Sequence, residues 1–378
     1  MTEVDASANS SRDQGTAAAS ALAILGAIVT TASNFLIAWL ISRGGADLAG
    51  LFFVATAVIA IAGNSSCLGT MTGLVYFLPK ALGPDPGLEP NPRALITMAL
   101  VPVAILSSVV ALALFLAAGP LAALVADERA SQIATLFRWL SLTIPAWAMT
   151  VTMLGATRGL GTMTPTVVVN QVARPGLQII LLAIVLTDTA PPAWQIAVAW
   201  GVPVILGFVG SVVIVGRLGG FVSGSRPLVT SAEYWAFTRP RAVSTALQIA
   251  LERLDVVLVS VFIGSGAAGV YGALTRYISA GNFLIFSIGQ AVSTHLRRSM
   301  AVEDWTKARE ILRRATSWLV LIAWPYFLLV AFSSDVLARV LSEDYVAESR
   351  ILMVLAFGMM VSAAAGPIDL ALLMLGRS

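Results

Sequence analysis

Five charged side chains stand well inside apolar runs of this chain, and they are where chemistry could occur. Between Ala242 and Ala280 the sequence reads AVSTALQIALERLDVVLVSVFIGSGAAGVYGALTRYISA. Glu252, Arg253 and Asp255 fall in one apolar helix and Arg276 in the next. The fifth, Arg174, lies midway along Thr164–Thr187 and precedes Pro175. Charges at membrane depth are costly and rare unless they face a polar interior or a partner. If the first helix leaves the bilayer near Ile263, Asp255 lies ~12 Å deep at ~1.5 Å per residue. If the second enters near Ala267, Arg276 lies ~14 Å deep by the same rise. The helices are expected to be antiparallel neighbours with Asp255 and Arg276 facing one interior. The residues leave open a structural ion pair or a functional one.

Glu252 and Asp255 are spaced i,i+3 on one helix face. Two carboxylates at membrane depth raise each other's pKa, which suits coupling to H+ or Na+. Arg253 opposes that shift if it turns toward them. Arg174 cannot be neutralised in practice and needs water, an anion or a carboxylate. Pro175 removes a helical donor and loosens the helix at that point. Asp369 lies near the inner end of the last apolar run, either lining a cavity mouth or snorkelling, while Arg138 is read as snorkelling. Asn34, Asn64, Asn170 and Gln171 sit in apolar runs, where amides usually join helices. Gly155 and Gly159 form a GxxxG packing motif. The single Cys67 and single His295 exclude an internal disulfide and a multi-histidine metal site. No nucleotide loop, metal-ligand set or nucleophile–base pair is present, so neither an enzyme nor a bound cofactor is expected.

The elements that must position these residues are membrane helices. Of the 378 residues, 58% are hydrophobic and only 11% charged, against about 25% charged in soluble domains. Runs of ~20 apolar residues mark an all-α polytopic membrane protein. A β-barrel would show short alternating segments. About ten spans are predicted near 17–41, 51–79, 94–118, 134–156, 164–187, 194–216, 242–263, 267–292, 318–336 and 351–375. Residues 1–16 read as a disordered cytoplasmic tail, 17–216 as a six-helix bundle, 217–241 as a cytoplasmic linker and 242–378 as a second bundle. With the N-terminus inside, fifteen basic residues fall on one side and four (Arg43, Arg129, Arg339, Arg350) on the other, so the N-terminus is expected to be cytoplasmic. The pI near 9.3 reflects this topology, not nucleic-acid binding. Val302–Arg314 reads as an amphipathic surface helix or a solvated connector.

The chain also repeats itself. Ala46–Ile61 aligns with Ser265–Ala280 at an offset of 219, with Ala49/Ala268, Gly50/Gly269, Thr56/Thr275 and Ile59/Ile278 identical. Six spans precede the second copy, so both copies start on the same side. That predicts two pseudo-symmetric bundles in a parallel repeat, a transporter plan. The second copy shows only four spans, and is expected to be incomplete.

These residues carry a family likeness. Arg253-Leu254-Asp255 followed by Gly269-Val270-Tyr271 resembles the seventh and eighth helices of the polysaccharide transporter family, which includes the O-antigen flippases. Asn34 before Ala38–Arg43, Ala49-Gly50-Leu51-Phe52, Leu68-Gly69 before Tyr76, and Leu154-Gly155 are similar to it as well. The same superfamily holds the multidrug and toxin extruders. The resemblance implies a flippase for polyprenyl-pyrophosphate-linked oligosaccharides in the bacterial cytoplasmic membrane, serving cell-surface polysaccharide and O-antigen assembly. Its partners would be the lipid-linked saccharide, membrane lipids and other polysaccharide-assembly proteins, with no nucleic acid. Arg174, Arg276 and Arg253 would then contact the pyrophosphate from a cationic cavity, and Asn34 and Asn170 the saccharide. Asp255, Glu252 and Asp369 would serve ion pairing or coupling. The alternatives are a drug or cation antiporter of the same superfamily and a truncated, non-transporting remnant.

Overall fold

The computed structural model describes the backbone of residues 3–83, 89–125, 129–188, 191–225, 229–301 and 305–366. Every regular element among them is helical. The first helices are α1 (Glu3–Ser42), α2 (Ala46–Ser65), α3 (Thr70–Leu82), α4 (Pro92–Leu116), α5 (Ala118–Val125), α6 (Ala130–Ser141) and α7 (Ile144–Gly159). A π-helical stretch, Thr166–Ala173, leads into α8 (Arg174–Val185) and α9 (Ala193–Arg217). Then come α10 (Ser231–Phe262), α11 (Ser265–Ala301), α12 (Trp305–Phe332), α13 (Ser334–Leu341), a 3-10 turn over Glu343–Glu348, and α14 (Arg350–Ala365). Among the described residues seven segments are long and apolar enough to cross a membrane: Ile24–Ser42, Ala46–Leu82, Pro92–Leu116, Ala130–Gly159, Thr166–Val185, Ala193–Arg217 and Arg309–Phe332. The three other expected spans lie on α10, α11 and α14. Helix α1 is already helical at Glu3, where a disordered tail is expected; no proline interrupts the chain before the apolar run.

The second span is broken, not continuous as expected. Leu68 (φ 52°) and Gly69 (φ 68°) both take the left-handed conformation between α2 and α3. Hydroxyl groups take up carbonyls around the break. Ser66 Oγ donates to Ala62 O at 2.7 Å and Thr70 Oγ1 to Cys67 O at 2.7 Å. The Thr70 and Thr152 hydroxyls pair at 3.0 Å. Such local satisfaction is what allows irregular backbone at membrane depth.

The GxxxG motif serves packing. A Cβ on Gly155 would sit 2.8 Å from Met71 Cα, and one on Gly159 would sit 2.7 Å from Leu74 O, so α7 lies directly on α3.

The chain divides into two compact units, Met1–Gly269 and Val270–Ser378. This differs from the expected linker at 217–241. Helix α10 starts at Ser231, with Thr230 Oγ1 accepting the Glu233 N–H at 3.3 Å as its N-cap. Its first turns are buried in the first unit: Tyr234 packs with Leu74, Phe77, Leu78 and Leu95, and α10 runs against α2. Tyr234, Phe237 and Thr238 supply this helix with a buried face that a short apolar count does not reveal.

The sequence repeat appears as a reciprocal contact inside the first unit. A Cβ on Gly50 would collide with the Ser265 carbonyl, and one on Gly269 with the Ala46 carbonyl. Positions 46 and 265, like 50 and 269, differ by the repeat offset of 219. Gly50 thus meets Ser265 as its equivalent Gly269 meets Ala46, the equivalent of Ser265, the signature of a two-fold contact.

In the second unit, helices are joined by side chain to backbone bonds. Tyr277 Oη donates to Leu337 O at 2.9 Å, Tyr326 Oη to Tyr277 O at 2.7 Å and Trp324 Nε1 to Met360 O at 3.1 Å.

Candidate functional site

The π-helical stretch ahead of Arg174 has a cause in its sequence. Pro175 has no N–H to give the carbonyl of Gln171, so the α-helical register cannot run through this point. The Arg174 N–H instead bonds Val169 O, five residues back. π-helical turns recur at functional positions. Here the turn sets Arg174 at the junction of two helical registers in mid-span.

The Arg174 guanidinium lies over the Trp147 ring of α7, 4.6 Å from its centroid. Trp147 is in turn stacked on Trp200 of α9, with centroids 5.8 Å apart and planes 10° apart. A Cβ at Gly63 of α2 would meet Trp147 Cδ1 at 3.1 Å, so only glycine leaves the indole its full room. Gln178, one turn beyond Arg174, donates Nε2 to Trp200 O at 3.0 Å and ties α8 to α9. Four helices therefore hold one cation–aromatic stack.

The stack has unspent hydrogen-bonding capacity. Arg174 Nε and Trp147 Nε1 in the stack, and Gln171 Oε1 on the side of Gly26 in α1, are buried without a hydrogen-bond partner among the described residues. Buried polar groups are otherwise almost always paired. Two of the three are donors, and one belongs to a permanent cation. In the six long apolar segments between Ile24 and Arg217 the acidic side chains reduce to Asp47, at a span end, against Lys80, Arg93, Arg138, Arg158, Arg174 and Arg217. Arg174 is the one in mid-span. The arrangement is suited to receiving an anion through charge-assisted hydrogen bonds.

The other expected site residues are distributed. Asn34 is exposed on α1, and Asn170 is half-buried on the π-helical stretch. Arg253 is half-buried, while Glu252 is exposed and accepts from Gln248 Nε2 at 3.2 Å. Asp255 Oδ1 accepts the Val256 N–H at 2.8 Å. Asp255 belongs to the first unit and Arg276, half-buried on α11, to the second. Asp369 lies outside the described residues. Asn64 donates to Ala60 O at 2.8 Å within its own helix. Arg138 is exposed. Sequence reasoning missed Trp147 and Trp200. Their signal was position: indoles usually mark span ends, and these two lie well inside.

No family model and no curated relative matches the sequence. Solved structures do match over nearly the whole chain. An inward-facing multidrug resistance MATE family transporter of the MOP superfamily matches at TM-score 0.63 and 16% identity, over 93% of this chain and 81% of that one. A eukaryotic MATE transporter matches at TM-score 0.63 and 16% identity, over 94% and 82%. A MOP superfamily transporter from Pyrococcus furiosus, described as having a binding pocket of reverse polarity, matches at TM-score 0.55 and 17% identity, over 96% and 82%. The chain is a multi-pass membrane protein with the MATE-type fold of two pseudo-symmetric helical bundles.

Proposed function

We propose that this chain is a membrane transporter, not an enzyme, and that its substrate is an amphipathic anion. The observation that carries this reading is the Arg174–Trp147–Trp200 stack, a mid-span cation with buried, unmet donors, while the acidic side chain on the α2 span beside it, Asp47, stands at the span end. Such a group welcomes an anionic headgroup and repels a cation. The narrower form of the reading is a flippase for polyprenyl-pyrophosphate-linked oligosaccharides, whose headgroup is anionic and whose tail is apolar. The reversed pocket polarity described for the Pyrococcus furiosus transporter supports the idea that this fold accommodates substrates of either charge.

A second reading is a drug or cation antiporter. The fold likeness favours it, because the matched transporters include multidrug ones, and Glu252 and Asp255 on α10 supply carboxylates for coupling. The test is transport by the full chain in proteoliposomes. One set carries a fluorescent polyprenyl-pyrophosphate saccharide and the other a cationic dye. Outward transfer of the saccharide lipid, abolished by Arg174→Ala with the melting profile intact, is the expected result. Dye efflux that survives Arg174→Ala but is lost in Asp255→Asn, with no saccharide-lipid transfer, would select the antiporter.

A further inference from the structure

Two contiguous cavities open at the arginine-rich end of the first unit, away from the Arg174 stack. The larger, about 570 Å³, is lined at its polar end by Asn91, Arg93, Ser223, Ser231 and Trp235. Its wall continues along Met98, Val101 and Pro102. The smaller, about 320 Å³, shares Pro102 and Trp235 and adds Leu68, Arg239 and Ala242. Arg93 and the hydroxyls line the first cavity, and Arg239 lines the second, with the shared Trp235 and Pro102 and the apolar Leu68 and Ala242.

Charge in the groove has one sign. Among the described residues no acidic side chain lines either cavity. Arg93 and Arg239 are exposed, and their guanidinium groups make no hydrogen bond or ion pair among the described residues. Three other basic residues at this end are engaged. Arg241 lies over Phe237 at 3.7 Å and donates to its carbonyl, Lys80 lies over Tyr76 at 3.8 Å, and Arg158 donates Nε to Thr166 at 3.2 Å. The helix α4 begins at Pro92 and α10 at Ser231, so two helix N-termini add partial positive charge at the same polar end. Trp235 offers an indole between head and tail, as at a membrane interface. In the orientation read from the basic residues this end is cytoplasmic, where anionic lipids concentrate.

We infer that this groove binds the phosphate headgroup of an anionic membrane phospholipid. Arg93 and Arg239 hold the phosphate oxygens, Ser223 and Ser231 supply hydroxyl donors, and an acyl chain runs along Met98, Val101 and Leu68. A guanidinium is suited to this because its planar fork meets two phosphate oxygens at once. The site is independent of the transported substrate, since none of its residues belongs to the Arg174 stack.

The test uses the full chain in detergent, with dioleoylphosphatidylglycerol, dioleoylphosphatidylcholine and inorganic phosphate as separate probes. Retained lipid is counted by native mass spectrometry and melting temperature is followed by intrinsic fluorescence. Expected is one retained phosphatidylglycerol and a raised melting temperature, with little effect of phosphatidylcholine. Each arginine removed should weaken binding about fivefold, so Arg93→Gln with Arg239→Gln should weaken it about 25-fold. Arg93→Lys with Arg239→Lys should fall between, and Arg217→Gln, at the same end but outside the groove, should bind as wild type. Equal phosphatidylglycerol binding by the double glutamine variant, or equal retention of phosphatidylcholine, would overturn the inference. Equal stabilisation by inorganic phosphate would reassign the site to a free anion. The unliganded melting temperatures report whether each variant has folded.

Discussion

Replacing Gly269 by alanine tests whether the two sequence copies meet as the reciprocal contact requires. A Cβ there would lie 2.8 Å from Gly50 N and collide with the Ala46 carbonyl, whereas ordinary contact begins at 3.4 Å. The start of α11 must then move from α2 by at least about 0.6 Å, the difference between those two distances, and by more at the carbonyl. Both atoms are backbone, so no rotamer change relieves them. Overpacking of this kind costs about 1–3 kcal/mol, and a backbone clash belongs at the upper end. Gly50→Ala meets the Ser265 carbonyl in the same way and should cost a similar amount. Because either substitution parts the same two helices, the double variant should cost about as much as one of them. That is a coupling of roughly 2 kcal/mol where independent sites would couple by less than about 0.5 kcal/mol. The control is Gly210→Ala in α9, which has open space around its Cβ and should be stabilising by about 0.5–1 kcal/mol through helix propensity. Unfolding in mixed micelles, titrated with sodium dodecyl sulfate, reads all four. Additive losses, or a Gly269→Ala variant as stable as wild type, would refute the reciprocal contact.

Three further outcomes follow from single side chains. Trp147→Leu removes both the cation contact and the indole stack and should destabilise by about 2–4 kcal/mol, while Trp200→Leu keeps the Arg174 contact and should cost less; the same micelle titration compares them. The Arg129–Asp47 pair, at 2.9 Å with both side chains nearly half exposed, should contribute no more than about 1 kcal/mol, so Asp47→Asn should have an effect that shrinks further at high salt. Burial raises the pKa of the Tyr234 phenol above its ordinary value of 10.0. A group whose pKa rises on folding adds stability below its unfolded pKa and loses it as pH climbs toward the folded value. Wild type should therefore lose stability above pH ~10 faster than Tyr234→Phe, and melting at pH 7 and 11 would show a constant difference if this were wrong.

Much of this protein was legible in one dimension. Apolar runs long enough to span, arginines biased to one side and Gly/Pro/Asp connections define an all-α membrane protein, because a bilayer demands internally satisfied backbone in every span. The repeat was legible too, since Gly50 and Gly269 are required by close approach at both copies. Arg174 could be marked as unusual from its depth alone. Its surroundings could not. Trp147 and Trp200 lie 27 and 26 residues from it along the chain, and only the packing of α7, α8 and α9 sets them face to face. The same holds for Tyr234, where a stretch too polar to span turns out to bury a helix face against α3. The break at Leu68 and Gly69 is conformational: an apolar run reads as one helix until hydroxyls from Ser66 and Thr70 are seen to take up the carbonyls around it. Sequence settles which segments must leave water, because transfer free energy is a local property of each segment. Tertiary structure decides which polar groups among them remain unmet, because hydrogen bonding depends on neighbours the chain brings together from far apart.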